Sequence, residues 1–293
     1  MMLTEFFNYR KSKMLVINPI GGLANRMRSI AAGVTLAQDL GADFRIIWAM
    51  NSELYARFED IFEVPAILKD KIYYPGKWEY EFLYKPPRKQ NLFLSGLFLR
   101  RFQRKLQFAV PGWDITENEA KEPLLKFYRN GDFKIAYIQG CTDFYTYDLE
   151  FYRSLFVPVK SIRAGVETVI GKIGPLRTGV HIRRTDNIDS INHSPLEAFV
   201  AKIENILKKT PDMKFYLASD SEDVKTYFKK KYPDSFFCDE RPAKRTTKDG
   251  IYNAARELMI LSRCQRIIGS YYSSFSEAAA KCGDIPLSVI YTE

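Results

Sequence analysis

The sequence predicts an α/β protein built from two Rossmann-like units, each a parallel sheet covered by helices. Three observations carry that prediction. Apolar runs of four to six residues alternate with stretches of helical periodicity, most cleanly in the C-terminal half. The first run, Met14–Asn18, leads through a Gly-Gly turn into a long amphipathic pattern. The length of 293 residues suits two domains, at ~100–200 residues for each.

The elements follow in order. Met14–Asn18 (MLVIN) reads as a buried strand, and the helix after it, over 25–40, puts Met27, Ile30, Ala31, Val34 and Ala37 on one face. Gly41 stops that helix, and Phe44–Ala49 is the second strand. Between Tyr73 and Tyr147 aromatic residues crowd and the periodicity weakens, although Ile135–Gly140 still reads as a strand. A bridge at Phe156–Val159, running into a helix over 159–173, sets the expected units at 1–157 and 158–293. Beyond it the expected strands are Arg177–Arg184, Lys214–Ser219, Ser235–Cys238, Arg266–Ser270 and Leu287–Tyr291. The expected helices between them are 195–207, 222–231, 253–264 and 275–282. Such alternation implies right-handed crossovers and a sheet buried on both faces.

Composition narrows the function classes. With 46% hydrophobic and 27% charged residues, the chain is neither disordered, nor collagen-like, nor a disulfide scaffold. Its 44 basic and 35 acidic side chains leave a net charge of +9, of which 151–293 carries +6. A diffuse surplus of that sign favours anionic partners without choosing among them. The four cysteines form no CxxC pair and there are two histidines, so no zinc site is expected. No run approaches the ~18 apolar residues of a membrane span, and the N-terminus lacks a secretory pattern. A cytoplasmic protein is expected.

The chemistry concentrates at strand ends, where open parallel sheets bind ligands. His181-Ile-Arg-Arg-Thr-Asp-Asn ends one strand, Tyr216–Asp220 ends the next, and Gly269–Ser274 ends a third and opens a helix. Of two adjacent arginines leaving a strand, one can face a ligand while the other locks the loop. The guanidinium fork of Arg183 or Arg184 suits phosphate. Ser273 and Ser274 at a helix start offer hydroxyls and free N–H groups to an anion. Taken singly, each feature has a plainer reading: an Arg184–Asp186 surface pair, serine N-caps, a core histidine. Their coincidence at successive strand ends points to a diphosphate pocket. The turn Gly21-Gly22-Leu-Ala-Asn25-Arg26 is neither GxGxxG nor a Walker A loop, and reads as a tight turn able to bring N–H groups near an anion.

These motifs also form a recognisable series. GVHIRRTDN (179–187), HSPLEAF (193–199), FYLASD (215–220), RELMILS (256–262) and SYYSSFSEAA (270–279) resemble, in order, those of the GT-B fucosyltransferases. That group comprises α1,6-fucosyltransferases, nodulation fucosyltransferases and protein O-fucosyltransferases. The likeness covers about the last 120 residues, and INPIGGLANRMRS resembles the group's N-terminal glycine loop. The resemblance implies two facing Rossmann-like domains, a GDP-fucose donor, no metal or other cofactor, and inverting transfer of fucose to a glycan hydroxyl. The donor side would be the C-terminal unit and the acceptor side the N-terminal one.

Carried onto matching positions, the resemblance makes Arg183 the β-phosphate ligand, with Ser274 and Ser273 donating to the same group. His181 and Glu257 would meet the guanine, although the group has Asp where this chain has Glu257. Arg184, Asp186 and Asp220 complete the donor side, and Gly22 and Asn25 would approach the nucleotide from the other domain. Asn187 stands where α1,6-fucosyltransferases have Lys, and Asp189 is the acid within reach for a general base. A transferase using GDP-mannose, a nucleic-acid-binding protein and a non-catalytic glycan-binding relative are the competing readings. Against nucleic acid, the lysine clusters fall at expected helix ends, where cations suit the dipole. Arg100–Lys105 beside Leu97–Leu99 would permit peripheral contact with a membrane carrying a lipid-linked acceptor. The aromatics of 78–84 could stack on sugar rings.

Overall fold

The computed structural model describes residues 13–84, 107–108, 135–185, 188–241 and 244–292. Asp186, Asn187 and the basic cluster Arg100–Lys105 lie outside the described residues.

The chain divides into two compact units. The first comprises the described residues within Met1–Glu53 and Val64–Phe151; the second comprises Leu54–Glu63 and those within Tyr152–Glu293. In the first, β1 (Met14–Pro19) is buried along its whole length, its apolar run Met14–Ile17 leading into the buried Asn18. Helix α1 (Leu23–Asp39) carries the chain to β2 (Asp43–Ile47), which pairs parallel with β1, Val16 opposite Arg45. The two-residue strands β3 (Ile72–Tyr73) and β4 (Gln107–Phe108) and the longer β5 (Ile135–Gly140) complete a parallel sheet ordered β3-β2-β1-β5-β4. The strand order reverses between β1 and β5, so the carboxyl end of β1 is a topological switch point.

The second unit repeats this plan. Helices α2 (Leu149–Leu155, which straddles the division) and α3 (Lys160–Ile173) precede β6 (Arg177–Ile182). The rest runs α4 (Ile188–His193), α5 (Leu196–Lys209), β7 (Lys214–Ser219), α6 (Glu222–Lys231), β8 (Phe236–Cys238), α7 (Lys248–Leu261), β9 (Ile267–Ser270), α8 (Ser274–Gly283) and β10 (Leu287–Ile290). All five strands are parallel in the order β10-β9-β6-β7-β8, with the reversal between β6 and β9. Val180, Ile182, Phe215, Leu217 and Ile268 on the strands pack against Phe199, Ile203 and Phe228 on α5 and α6. Burying such side chains contributes ~1.5–3 kcal/mol each.

Two departures from the sequence-based expectations have local causes. Helix α7 begins at Lys248, five residues before the expected start, because the Thr247 hydroxyl accepts from the Gly250 amide at 3.1 Å and caps it. Leu54–Glu63 belongs to the second unit because Phe58 and Phe62 bury their rings against Phe156, 6.4 and 5.3 Å away. The Glu63 and Val159 amides fix that segment by donating to Val157 and Ile61 carbonyls.

Helix α8, which opens at the strand-end serines, is seated on α7 by a glycine. A Cβ on Gly283 would lie 2.1 Å from the Ser262 carbonyl oxygen, and backbone cannot turn aside as a side chain does. Gly283→Ala is expected to destabilise the second unit by up to ~3 kcal/mol, the upper end for overpacking. A lower urea midpoint with unchanged far-UV circular dichroism would show it; an unshifted midpoint would refute the close contact.

Candidate functional site

In the second unit the switch point gathers the loops after β6, β7 and β9. The chain leaving β6 is gripped from both neighbouring strands. The Arg183 amide donates to Ser270 Oγ at 3.1 Å, and the Ser219 hydroxyl donates to the Ile182 carbonyl at 2.7 Å. Asp220, exposed at the end of β7, accepts from the Arg184 amide (2.8 Å), the Thr185 amide (3.3 Å) and the Thr185 hydroxyl (2.6 Å). Arg184 is the locking arginine: its guanidinium donates to the carbonyls of Ser194 (2.5 Å) and Arg183 (3.3 Å). Arg183, its backbone pinned, is half-buried at the mouth of the loop.

The next layer is a serine relay. Ser194 is fully buried; its hydroxyl accepts from the Tyr271 amide at 2.7 Å and donates to the Ile290 carbonyl at 2.7 Å. Ser190 donates to the Tyr271 carbonyl, so α4, carrying exposed Asp189 in its first turn, is tied to the loop before α8. Ser273 occupies the N-cap of α8, yet its side chain caps no amide of the helix. Its Oγ lies instead 3.3 Å from His181 Nδ1. The first-turn amides beside Ser274 therefore keep the unsatisfied donors that make a helix start an anion site.

Two buried titratable groups lie behind this rim. His181 is 7% exposed, its ring 4.9 Å from that of Phe275, and burial lowers its pKa to about 4, against a smaller upward pull from Asp220. The imidazole is neutral at pH 7. Glu257, on α7, is 3% exposed, and burial pushes its pKa up to about 8 although Lys225 Nζ lies 4.0 Å away. That separation is too long for a hydrogen bond, and Glu257 Oε1 has no donor. The buried Tyr216 hydroxyl likewise lacks a partner. Asp239 pairs with Arg256 and, at 3.3 Å, with Arg241. Lys225 binds Glu222 at 3.0 Å and the Asp239 carbonyl at 3.1 Å.

The first unit builds its own strand-end loop. Gly21 has φ +86°, a conformation that favours glycine, and a Cβ there would strike Asn25 Nδ2 at 2.7 Å. Gly22 is the N-cap of α1, and Asn25 Oδ1 accepts from Arg28 at 2.8 Å. The keystone is Arg26, fully buried, its guanidinium 5.3 Å from the centre of the Trp48 ring. It donates to the Gly21 carbonyl (2.9 Å), the Ala49 carbonyl (2.6 Å) and Asn51 Oδ1 (3.1 Å). Burial lowers its pKa to about 10, which leaves it charged at neutral pH. Glu53 closes the turn by accepting from the Gly21 amide at 3.0 Å.

With this geometry established, the likeness to known structures can be weighed. No family model matches the sequence, and no curated protein does. Solved structures do. NodZ α1,6-fucosyltransferase soaked with GDP-fucose aligns with a TM-score of 0.58 at 17% identity, over 93% of each chain. A variant of FUT1 from Arabidopsis thaliana, in complex with GDP, aligns at 0.64 and 14%, over 99% of this chain and 73% of that one. POFUT1 in complex with GDP aligns at 0.54 and 11%, over 95% and 98%. The chain has the GT-B fucosyltransferase fold.

Within this GT-B chain the sequence-predicted residues divide by unit. His181, Arg183, Arg184, Asp189, Asp220, Ser273 and Ser274 stand on or beside the loops of one switch point, with Glu257 buried behind. Gly22 and Asn25 stand at the other. Sequence reasoning named Arg26 only as the end of the turn, without a role, and passed over Glu53, Ser190, Ser194 and Lys225. Arg26 left a signal: it stands four residues before Ile30 on the apolar stripe of α1, where a charge has to find partners. No helix among the described residues is long and apolar enough to cross a membrane, and none of their His, Cys, Asp and Glu side chains cluster as a metal site.

Burial of His181 has a consequence for acid stability. Its folded pKa, about 4, lies below the ordinary value of 6.5, so below that value the unfolded chain binds a proton that the folded chain refuses. Its contribution is complete above pH 6.5 and is lost as pH falls towards 4. His181→Asn is expected to flatten that acid limb by up to ~3 kcal/mol, read from urea midpoints across the pH range. An unchanged slope would show that His181 does not carry it.

Proposed function

We propose that this chain transfers a hexose, fucose first among candidates, from a GDP-sugar to a hydroxyl of a glycan, with inversion and without a metal. One observation carries the reading: the Arg183 loop, braced by Asp220 and Ser270, meets an uncapped helix start at a switch point, a cradle suited to a diphosphate. The GT-B fold of structures solved with GDP or GDP-fucose supports it.

In this mechanism the acceptor oxygen attacks the anomeric carbon as the bond from that carbon to the β-phosphate oxygen breaks. GDP leaves with the bonding electrons from the opposite face, and the acceptor proton passes to the Asp189 carboxylate. Negative charge grows on the β-phosphate, so the Arg183 guanidinium and the donors of Ser273 and Ser274 stabilise the transition state more than the ground state. Arg184 and Asp220 hold the loop that presents Arg183. Neutral His181 and the unsatisfied Glu257 carboxyl are the guanine-reading groups. Surface polysaccharide or lipid-linked oligosaccharide is the acceptor class.

A thermal-shift panel tests the donor class. GDP, GDP-fucose and GDP-mannose should stabilise the protein, while UDP, ADP and CMP should not; a UDP preference would overturn the reading. Arg183→Ala should lower transfer by ~10²–10³ and weaken GDP binding. Asp189→Asn should lower turnover by ~10²–10⁴ with GDP affinity kept.

Guanine recognition makes a second, independent prediction. A carboxyl held protonated by burial has to ionise to accept from the guanine N1–H and amino group. GDP binding near pH 7 should therefore release about one proton, seen as a buffer-dependent calorimetric enthalpy. Glu257→Gln should abolish that dependence; its persistence would remove Glu257 from guanine recognition.

A further inference from the structure

We propose that the aromatic edge formed by Tyr272, Tyr271, Tyr291 and His193 is a sugar-stacking subsite that seats the acceptor glycan. The proposal rests on the glycosyl-transfer reading for its ligand but on separate residues for its support. Tyr272 is 71% exposed and has φ +52°, a left-handed conformation that costs an L-residue with a Cβ ~1–2 kcal/mol. Strain of that kind persists where the surroundings impose it, and it gathers at ligand sites. Here it turns a large ring to solvent one residue before the N-cap of α8.

A single exposed tyrosine would mean little. This one opens a continuous array. The Tyr271 ring centre lies 6.1 Å from that of Tyr272, 4.9 Å from Tyr291 and 5.4 Å from His193. His193 and Tyr291 stack at 5.2 Å with 19° between their planes. Tyr291 is 52% exposed, so the array has open ring surface at both ends. The Thr292 amide donates to the His193 carbonyl at 2.8 Å, which fixes the chain after β10 against α4.

The chemistry of the surface names its ligand. A pyranose has one face of C–H bonds, which carry partial positive charge and meet the negative face of an aromatic ring, while its hydroxyls bond to polar groups at the rim. Tyrosine supplies both the ring and a hydroxyl. Position supplies the role: Ser190, next to Asp189, donates to the carbonyl of Tyr271, next to Tyr272. That bond ties the chain that carries Asp189 to the chain that carries Tyr272, so the proposed subsite and the proposed base belong to neighbouring segments of one strand-end rim.

Saturation-transfer NMR on the full chain tests the proposal, with cellobiose, lactose and N,N′-diacetylchitobiose as probes and GDP present. At least one probe should receive saturation on its axial ring hydrogens from the wild type. Tyr272→Ala should reduce that signal at least fivefold, and Tyr272→Trp should retain it. The GDP-induced thermal shift should be the same in all three proteins. Absence of transfer to every probe, or equal transfer to the alanine variant, would overturn the subsite. Loss of GDP binding in the wild type would instead overturn the donor reading, while Tyr272-dependent sugar transfer would still uphold the subsite.

Discussion

A backbone loop holds an arginine at a fixed place only if its own amides are fixed, and in the second unit Asp220 does most of that work. Its two carboxylate oxygens take the amides of Arg184 and Thr185 and the Thr185 hydroxyl, joining the end of β7 to the end of β6. Ser270 grips the Arg183 amide from the other side, at the end of β9. The loop is thus strung across three strands. The backbone of Arg183 inherits the rigidity of the sheet although it lies beyond it.

The two units solve one problem with different groups. Each must close a loop at a switch point, where the chain leaves the first strand and no neighbouring ladder supports it. The second unit uses an exposed carboxylate and buried serines. The first uses a buried guanidinium, Arg26, whose three acceptors come from the turn itself and from the end of β2 onward. Burying a charge is costly unless it is fully hydrogen-bonded, and stacking on Trp48 completes the surroundings of this one.

Behind the rim the balance differs. His181 and Glu257 are buried with too few partners to stay ionised, so each takes its neutral form, the histidine by losing a proton and the carboxyl by keeping one. Desolvation exceeds the pull of Asp220 on His181 and of Lys225 on Glu257. The second unit therefore presents charge at its surface, through Arg183 and Asp220, and neutral donors and acceptors within.

The sequence by itself determined the elements and their parallel pairing, because strand and helix periods are local and short crossovers leave few topologies. It also placed His181, Arg183, Asp220 and the serines at strand ends, because a strand end is marked by where its apolar run stops. Tertiary structure alone decided that Arg184 locks the loop, since that depends on Ser194, ten residues past Arg184 along the chain and adjacent in space. It alone decided that Leu54–Glu63 joins the second unit, through rings whose partner lies almost a hundred residues further on. It alone placed Tyr271, Tyr291 and His193 on one edge, and put Glu257 where no donor reaches its Oε1. Periodicity reports which face of an element is buried; it does not report what that face meets, and each of these features is set by the partner.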